Sequence, residues 1–160
     1  MDKYTVKTLE DWDYDVVNQI VLMSREFIEE ASYKLTFNSK KSYQKIFSSF
    51  MCDNSSILYL EDCEGEVAAG ALLFICADWH KEKLGYAEKF YVRKKYRGTK
   101  AGRTLSKACA TWFDRNNCLD SFITDTAAVG QGRPFVNLMS KSGYKAMGPI
   151  LIRENPNGQI

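Results

Sequence analysis

The chain is predicted to fold as an α/β protein in which a mixed, mostly antiparallel sheet is flanked by helices. Three observations carry this prediction. Two segments in the first third space their apolar residues by three and four, as helices do; the spacing then switches to that of strands between Ile57 and Arg93; and a strand, a glycine-bearing loop, a helix and another strand follow in order. The resulting string, β-α-α-β-β-β-α-β-α-β, combines hairpin-linked strands with one crossover, and a crossover demands a parallel pair in an otherwise antiparallel sheet. A doubly wound sheet would alternate more strictly.

Tyr4 to Leu9 is short and β-prone. From Trp12 to Ala31 the residues Val16, Val17, Ile20, Val21, Phe27 and Ile28 form one apolar helical face. The polar break at Asn38 and Ser39 offers an N-cap to a second helix, whose face is Tyr43, Ile46, Phe47, Phe50 and Met51. Ile57 to Leu60 and Val67 to Cys76 read as a hairpin across the acidic turn 61–66, with Gly70 marking a bulge or a close approach. Asp78 to Lys83 is a polar loop. Leu84 to Arg93 alternates, which puts Tyr86, Glu88, Phe90 and Val92 on one face and Ala87, Lys89, Tyr91 and Arg93 on the other. A helix with apolar positions Leu105, Ala108, Cys109, Trp112 and Phe113 follows, then a strand over Asp120 to Thr126, a short helix over Arg133 to Ser142 starting near Pro134, and a last strand over Tyr144 to Arg153.

Composition narrows the function classes. The 160 residues, 45% hydrophobic and 26% charged with 10 Gly and 3 Pro, suit one folded domain over 1–160 and exclude collagen-like, low-complexity and largely disordered chains. The longest apolar run, within Val67 to Ala77, is about half of what a membrane-spanning helix requires, and the first residues lack a secretory pattern, so a cytoplasmic protein without membrane partners is expected. Five cysteines without a C-x-x-C pair argue against a disulfide framework or zinc knuckle, and a single histidine, His80, rules out a multi-histidine zinc site, so no metal is expected.

Chemistry concentrates in residues 93–103, which hold six cations, Arg93, Lys94, Lys95, Arg97, Lys100 and Arg103, together with Gly98 and Gly102. A glycine-bearing turn at a helix N-terminus lets unpaired backbone N–H groups converge on an anion at the positive end of the helix dipole. A pyrophosphate suits such a turn; a solvated basic loop without a ligand is the plain alternative. The text is neither a Walker A loop nor the G-x-G-x-x-G of dinucleotide folds.

It does resemble the acyl-CoA-binding motif of the GNAT acetyltransferase superfamily, [Q/R]-x-x-G-x-[G/A]. Arg97, Gly98, Gly102 and Leu105 match, while Lys100 stands in place of the central glycine. Phe90-Tyr91-Val92 before the basic run resembles the family's fourth strand, and Leu138-Met139-Ser140-Lys141-Ser142-Gly143-Tyr144 is similar to the family's L-Y-x-K-x-G-[FY]. The resemblance implies a sheet whose fourth and fifth strands, here Leu84–Arg93 and Asp120–Thr126, splay apart. It implies acetyl-CoA as acyl donor, with the amides of Gly98, Thr99, Lys100, Ala101, Gly102 and Arg103 behind Arg97 holding the pyrophosphate, and the backbone of Phe90, Tyr91 and Val92 pairing with the pantetheine arm. The reaction implied is direct transfer to an amine of a small molecule or protein, and a homodimer is an expectation of the same kind.

Such a transfer needs a neutral amine, a polarised carbonyl and a proton for the departing thiolate. Glu88, on the strand lining the site, is the first candidate for the base, with a glutamate paired to a lysine at the sheet edge as its structural alternative. His80 and Asp125 follow it. For the acid, the resembled family commonly uses a tyrosine where this chain has Met139, so water or another residue must serve, or the thiolate leaves with little help. The acceptor pocket implied by the resemblance spans 11–51 and 77–84, where the acids Glu29 and Glu30 suit a cationic acceptor or an ordinary helix surface. Nucleic-acid binding competes, because Tyr91 and Tyr96 accompany the basic run, but a net charge of +2 gives little attraction. Lys100 and Met139 favour a third class, a GNAT-fold regulatory module without activity.

Overall fold

The computed structural model describes residues 4–30, 36–77, 81–123 and 132–145. Five strands, β1 (Thr5–Thr8), β2 (Ser55–Glu61), β3 (Val67–Cys76), β4 (Lys83–Val92) and β5 (Cys118–Ile123), form one sheet in chain order. All neighbours are antiparallel except β4 and β5, which run parallel and are joined through a 3-10 turn (Lys94–Tyr96) and the helix α3 (Ala101–Arg115). Helices α1 (Tyr14–Glu30) and α2 (Ser39–Phe50) precede β2, and α4 (Gly132–Ser140) follows β5. The mixed sheet expected from the sequence is therefore present. His80, Asp125 and most of the segment expected as the last strand lie outside the described residues.

Alternation along the strands builds two cores, one on each face. Ile57, Tyr59, Val67 and Leu72 join Val17, Ile20, Phe27 and Ile46 of α1 and α2, while Leu58, Leu60, Ala71 and Leu73 join Leu105, Cys109 and Phe113 of α3. Because β3 is covered on both faces, its sequence is a continuous apolar run instead of an alternating one. Gly70 is the expected close approach and not a bulge: a Cβ there would lie 2.7 Å from Met23 Cε of α1.

Local chemistry sets the helix ends. Asp13 accepts from the amides of Asp15 and Val16 at 2.9 and 3.2 Å and starts α1, and Asn38 caps α2 by accepting from the Lys41 amide at 3.0 Å. The irregularity that matters most for function sits in β4. Leu72 faces Lys89 while Leu73 faces Ala87, so Glu88 is an extra residue in a β-bulge. The expected alternation breaks at that point. Phe90 packs with α3 and α4, but Glu88 pairs with Lys45 of α2, so the two lie on opposite faces of the sheet.

Candidate active site

Among the described residues the pairing of β4 with β5 extends from Lys83 to Ala87, which faces Ile123. From Lys89 to Val92, β4 is paired with β3, and its other edge has no partner among the described residues. This is the stretch that contains Phe90, Tyr91 and Val92. Their side chains are engaged elsewhere: the Phe90 ring meets Phe135 of α4 edge-on at 5.9 Å, Val92 packs beside Gly102, and Tyr91 is buried against Phe27 of α1.

The edge leads into the turn ahead of α3. Gly98 has φ +79°, a left-handed conformation that carries no side-chain penalty only in glycine. Thr99 locks the turn with its hydroxyl, which donates to the Tyr96 carbonyl at 2.6 Å and accepts from Tyr4 Oη at 2.9 Å and from the Ala101 amide at 3.2 Å. The first helical hydrogen bond runs from the Thr104 amide to the Lys100 carbonyl at 2.9 Å, so the amides of Gly102 and Arg103 precede it and lie at the dipole's positive end. Gly102 also lets α4 come near, since a Cβ there would lie 2.9 Å from Leu138 Cδ2.

The six cations of 93–103 divide into two sets. Arg93 binds Glu26 at 2.8 Å and Glu66 at 2.6 Å, Lys95 binds Glu66, and Arg97 binds Glu30 at 2.5 Å while donating to the Val92 carbonyl at 3.0 Å. The hydrogen bond and charge of Glu26, with Glu66 beside it, hold Arg93 more firmly protonated than usual. Burial and the hydrogen bond to Glu30 push the Tyr91 hydroxyl well above its ordinary range. These contacts fasten α1 to the end of β4. Lys94, Lys100 and Arg103 have no carboxylate partner among the described residues, so Lys100 and Arg103, on either side of the α3 start, are the cations available to an anion there. The acids of α1 are what sequence reasoning missed. Their clustering at Glu26, Glu29 and Glu30 was the signal; they pair with Arg93, Arg25 and Arg97 and, with Lys94 and Lys95, line an open cavity of about 340 Å³.

Glu88 follows Ala87, the last β4 residue paired with β5 among the described residues. Its carboxylate, 41% exposed, holds Lys45 Nζ at 2.6 Å, the structural alternative weighed for it above. Met139 is buried beneath α3, where its sulfur accepts from Ser106 Oγ at 3.5 Å, so it is a packing residue. Tyr144 is partly buried on the same face, and burial raises its hydroxyl's pKa. On the opposite face, between α1, α2 and strands β2 to β4, lies an open cavity of about 270 Å³ floored by Leu72 and Gly70 and walled by Met23, Phe27 and Ile46. No helix among the described residues is long and apolar enough to cross a membrane.

Known structures share this architecture. An aminoglycoside N-acetyltransferase, AAC(6')-Iy, in complex with CoA superposes with a TM-score of 0.75 at 8% identity, covering 98% of this chain and 97% of that one. Glucosamine-6-phosphate N-acetyltransferase from Arabidopsis thaliana gives 0.68 at 14%, covering 97% and 99%. A GNAT family acetyltransferase from Staphylococcus aureus gives 0.69 at 13%, covering 97% and 100%. No curated protein sequence matches this one. At such identities the likeness establishes the fold alone. Sequence carries it further, because the family model described as "Acetyltransferase (GNAT) family" matches residues 22–132, from the middle of α1 through the bulge and the turn to the start of α4. With more than half of its length matched, the chain belongs to the GNAT acetyltransferase family.

Proposed function

We propose that the protein transfers an acetyl group from acetyl-CoA to a primary amine. The observation that carries this is the turn at the head of α3, where Gly98 at φ +79° and the amides of Gly102 and Arg103 ahead of the first helical hydrogen bond form an anion site at the end of the β4 edge. An extended amide-bearing arm can add to such an edge as a strand, while its diphosphate meets Gly102, Arg103 and the cation of Lys100. Solved structures of the same architecture in complex with CoA, and with a bisubstrate analogue that joins CoA to an aminoglycoside-type amine, favour this reading.

At the bulge the extra residue interrupts the ladder, so a main-chain N–H near Glu88 is left to polarise the thioester carbonyl. The acceptor loses its proton to Glu88, directly or through water, once it has displaced the Lys45 ammonium from that carboxylate. The amine then attacks the carbonyl carbon, the C–S bond breaks, and the proton that the nitrogen sheds as the amide forms passes to the departing thiolate, directly or through water, so no dedicated acid is needed. Buried Met139 is compatible with that economy.

Thermal unfolding with and without acetyl-CoA tests the binding half, because a ligand of the native state raises Tm. Lys100→Glu with Arg103→Glu is expected to abolish the shift. Steady-state turnover tests the rest, with Glu88→Gln expected to lower kcat by about 10²-fold or more. A Glu88→Gln enzyme with the full pH profile of the parent removes Glu88 from the mechanism, and absence of any coenzyme shift overturns the proposal.

A further inference from the structure

The cavity beneath α1 and α2 has an apolar body and a one-signed rim. Its walls are Met23, Phe27, Ile46 and Leu72, and the charged side chains lining it are Lys41, Lys45 and Lys89, with no carboxylate among them. Lys45 is paired with Glu88. Lys41 has no carboxylate partner among the described residues. The same holds for Lys89, whose ammonium lies 5.2 Å from the centroid of the Phe27 ring. The bulge places Glu88 next to Lys89, and the Glu88 carboxylate already holds one ammonium, that of Lys45, at the cavity's edge.

Resting on the acyl-transfer reading above, we infer that this cavity receives the acceptor, and that the acceptor is an amine with an apolar body and an anionic group, of amino-acid size. The anion meets Lys41 and Lys89, the apolar body lies under α1 and α2, and the amine takes the place of the Lys45 ammonium at Glu88. A polycation is rejected, because three lysines and no acid line the cavity among the described residues and like charges repel. The volume agrees: about 270 Å³ falls below the ~300 Å³ at which sites for drug-sized ligands begin. Acids that would have welcomed a cationic acceptor, Glu26, Glu29 and Glu30, are absent from the lining and bound to arginines.

Calorimetry on the coenzyme-free protein tests this independently of catalysis. L-Phenylalanine, L-leucine and L-methionine are each titrated against their carboxamides, which keep the amine and the apolar body but lose the anion, with spermidine as the polycationic probe. At least one acid is expected to bind about fivefold or more tighter than its amide, as one lysine–carboxylate pair provides. Lys41→Glu with Lys89→Glu should erase or reverse that preference, and Ser24→Phe, which fills the cavity from α1, should block acid and amide alike while acetyl-CoA still raises Tm. Amides binding as well as acids, spermidine binding best, or Ser24→Phe leaving binding intact overturns the inference. So does octanoyl-CoA losing to Ser24→Phe an affinity that acetyl-CoA keeps, which would make the cavity a site for the donor's acyl tail. A retained coenzyme shift in any of these cases leaves the acyl-transfer proposal standing.

Discussion

Arg97 is the residue whose place in the structure departs most from its place in the motif. Its guanidinium lies 5.3 Å from the Tyr91 ring centroid and is bonded to Glu30 and to the Val92 carbonyl, so it braces α1 against the end of β4. Arg103 has no such tie. Arg97→Ala is therefore expected to lower stability by less than about 1 kcal/mol, the scale of a half-exposed ion pair. Arg103→Ala should instead weaken acetyl-CoA binding by about fivefold with Tm of the free protein unchanged. Isothermal titration and melting curves on both variants check the contrast, and equal coenzyme losses would show that Arg97 turns to the ligand. A second residue, Gly85, is dictated by packing alone. A Cβ there would lie 2.3 Å from Cδ1 of Phe113, a ring that is 2% exposed and cannot withdraw. Gly85→Ala should cost about 1–3 kcal/mol, read as a fall of several degrees in Tm without loss of the sheet's circular dichroism.

At the scale of elements, periodicity made most of the chain legible. The helical faces of α1 and α3, the hairpin of β2 and β3 and the cap at Asn38 lie where apolar spacing and side-chain chemistry put them, whereas of the face expected for α2 Ile46 is buried, Tyr43 and Phe50 are partly so, and Phe47 and Met51 are exposed. That cap supports a direct prediction: Asn38→Ala removes the acceptor for the Lys41 amide and should destabilise the protein by about 1 kcal/mol in urea unfolding, while Asn38→Asp should be close to neutral. What the sequence concealed was the bulge. Ala87-Glu88-Lys89-Phe90 contains no glycine or proline to flag it, and its cause is the register that β3 imposes across the ladder, which no local pattern reports. One inserted residue moved Glu88 to the α2 face and made Lys45 its neighbour. The glycine-bearing turn was legible as an anion site because its chemistry is local. The division of its cations was not, because their partners, Glu26, Glu30 and Glu66, come from α1 and the β2–β3 hairpin, distant in sequence.

Across the whole molecule the titrating groups bound the pH range in which the fold is stable, and they do so from both sides. On the acid side, the Tyr96 hydroxyl donates to Asp62 and holds that carboxyl below its ordinary 3.8, while Lys95, with Arg93 nearby, holds Glu66 below 4.5. Carboxyls depressed by folding bind fewer protons in the native state, so their stabilisation is complete above those values and is lost as pH falls through the lowered ones. On the alkaline side, burial pushes the Cys109 thiol from 9.0 up to about 12 and raises Tyr91 and Tyr96 from 10.0, with hydrogen bonds to Glu30 and Asp62 adding to the tyrosine shifts. Groups raised by folding keep their protons longer in the native state, so stability present below pH 9 is lost as pH climbs from 9 toward 12. Urea midpoints are therefore expected to be level between about pH 5 and 9 and to fall beyond both limits. Tyr96 belongs to both limbs through its bond to Asp62, so Tyr96→Phe should make both declines shallower relative to its own plateau. Cys109→Ala should touch only the alkaline one, making its decline from pH 9 shallower while the raised Cys118 thiol keeps part of it, and an acid limb that also moves in Cys109→Ala would mean that repacking under α3, and not titration, sets the profile.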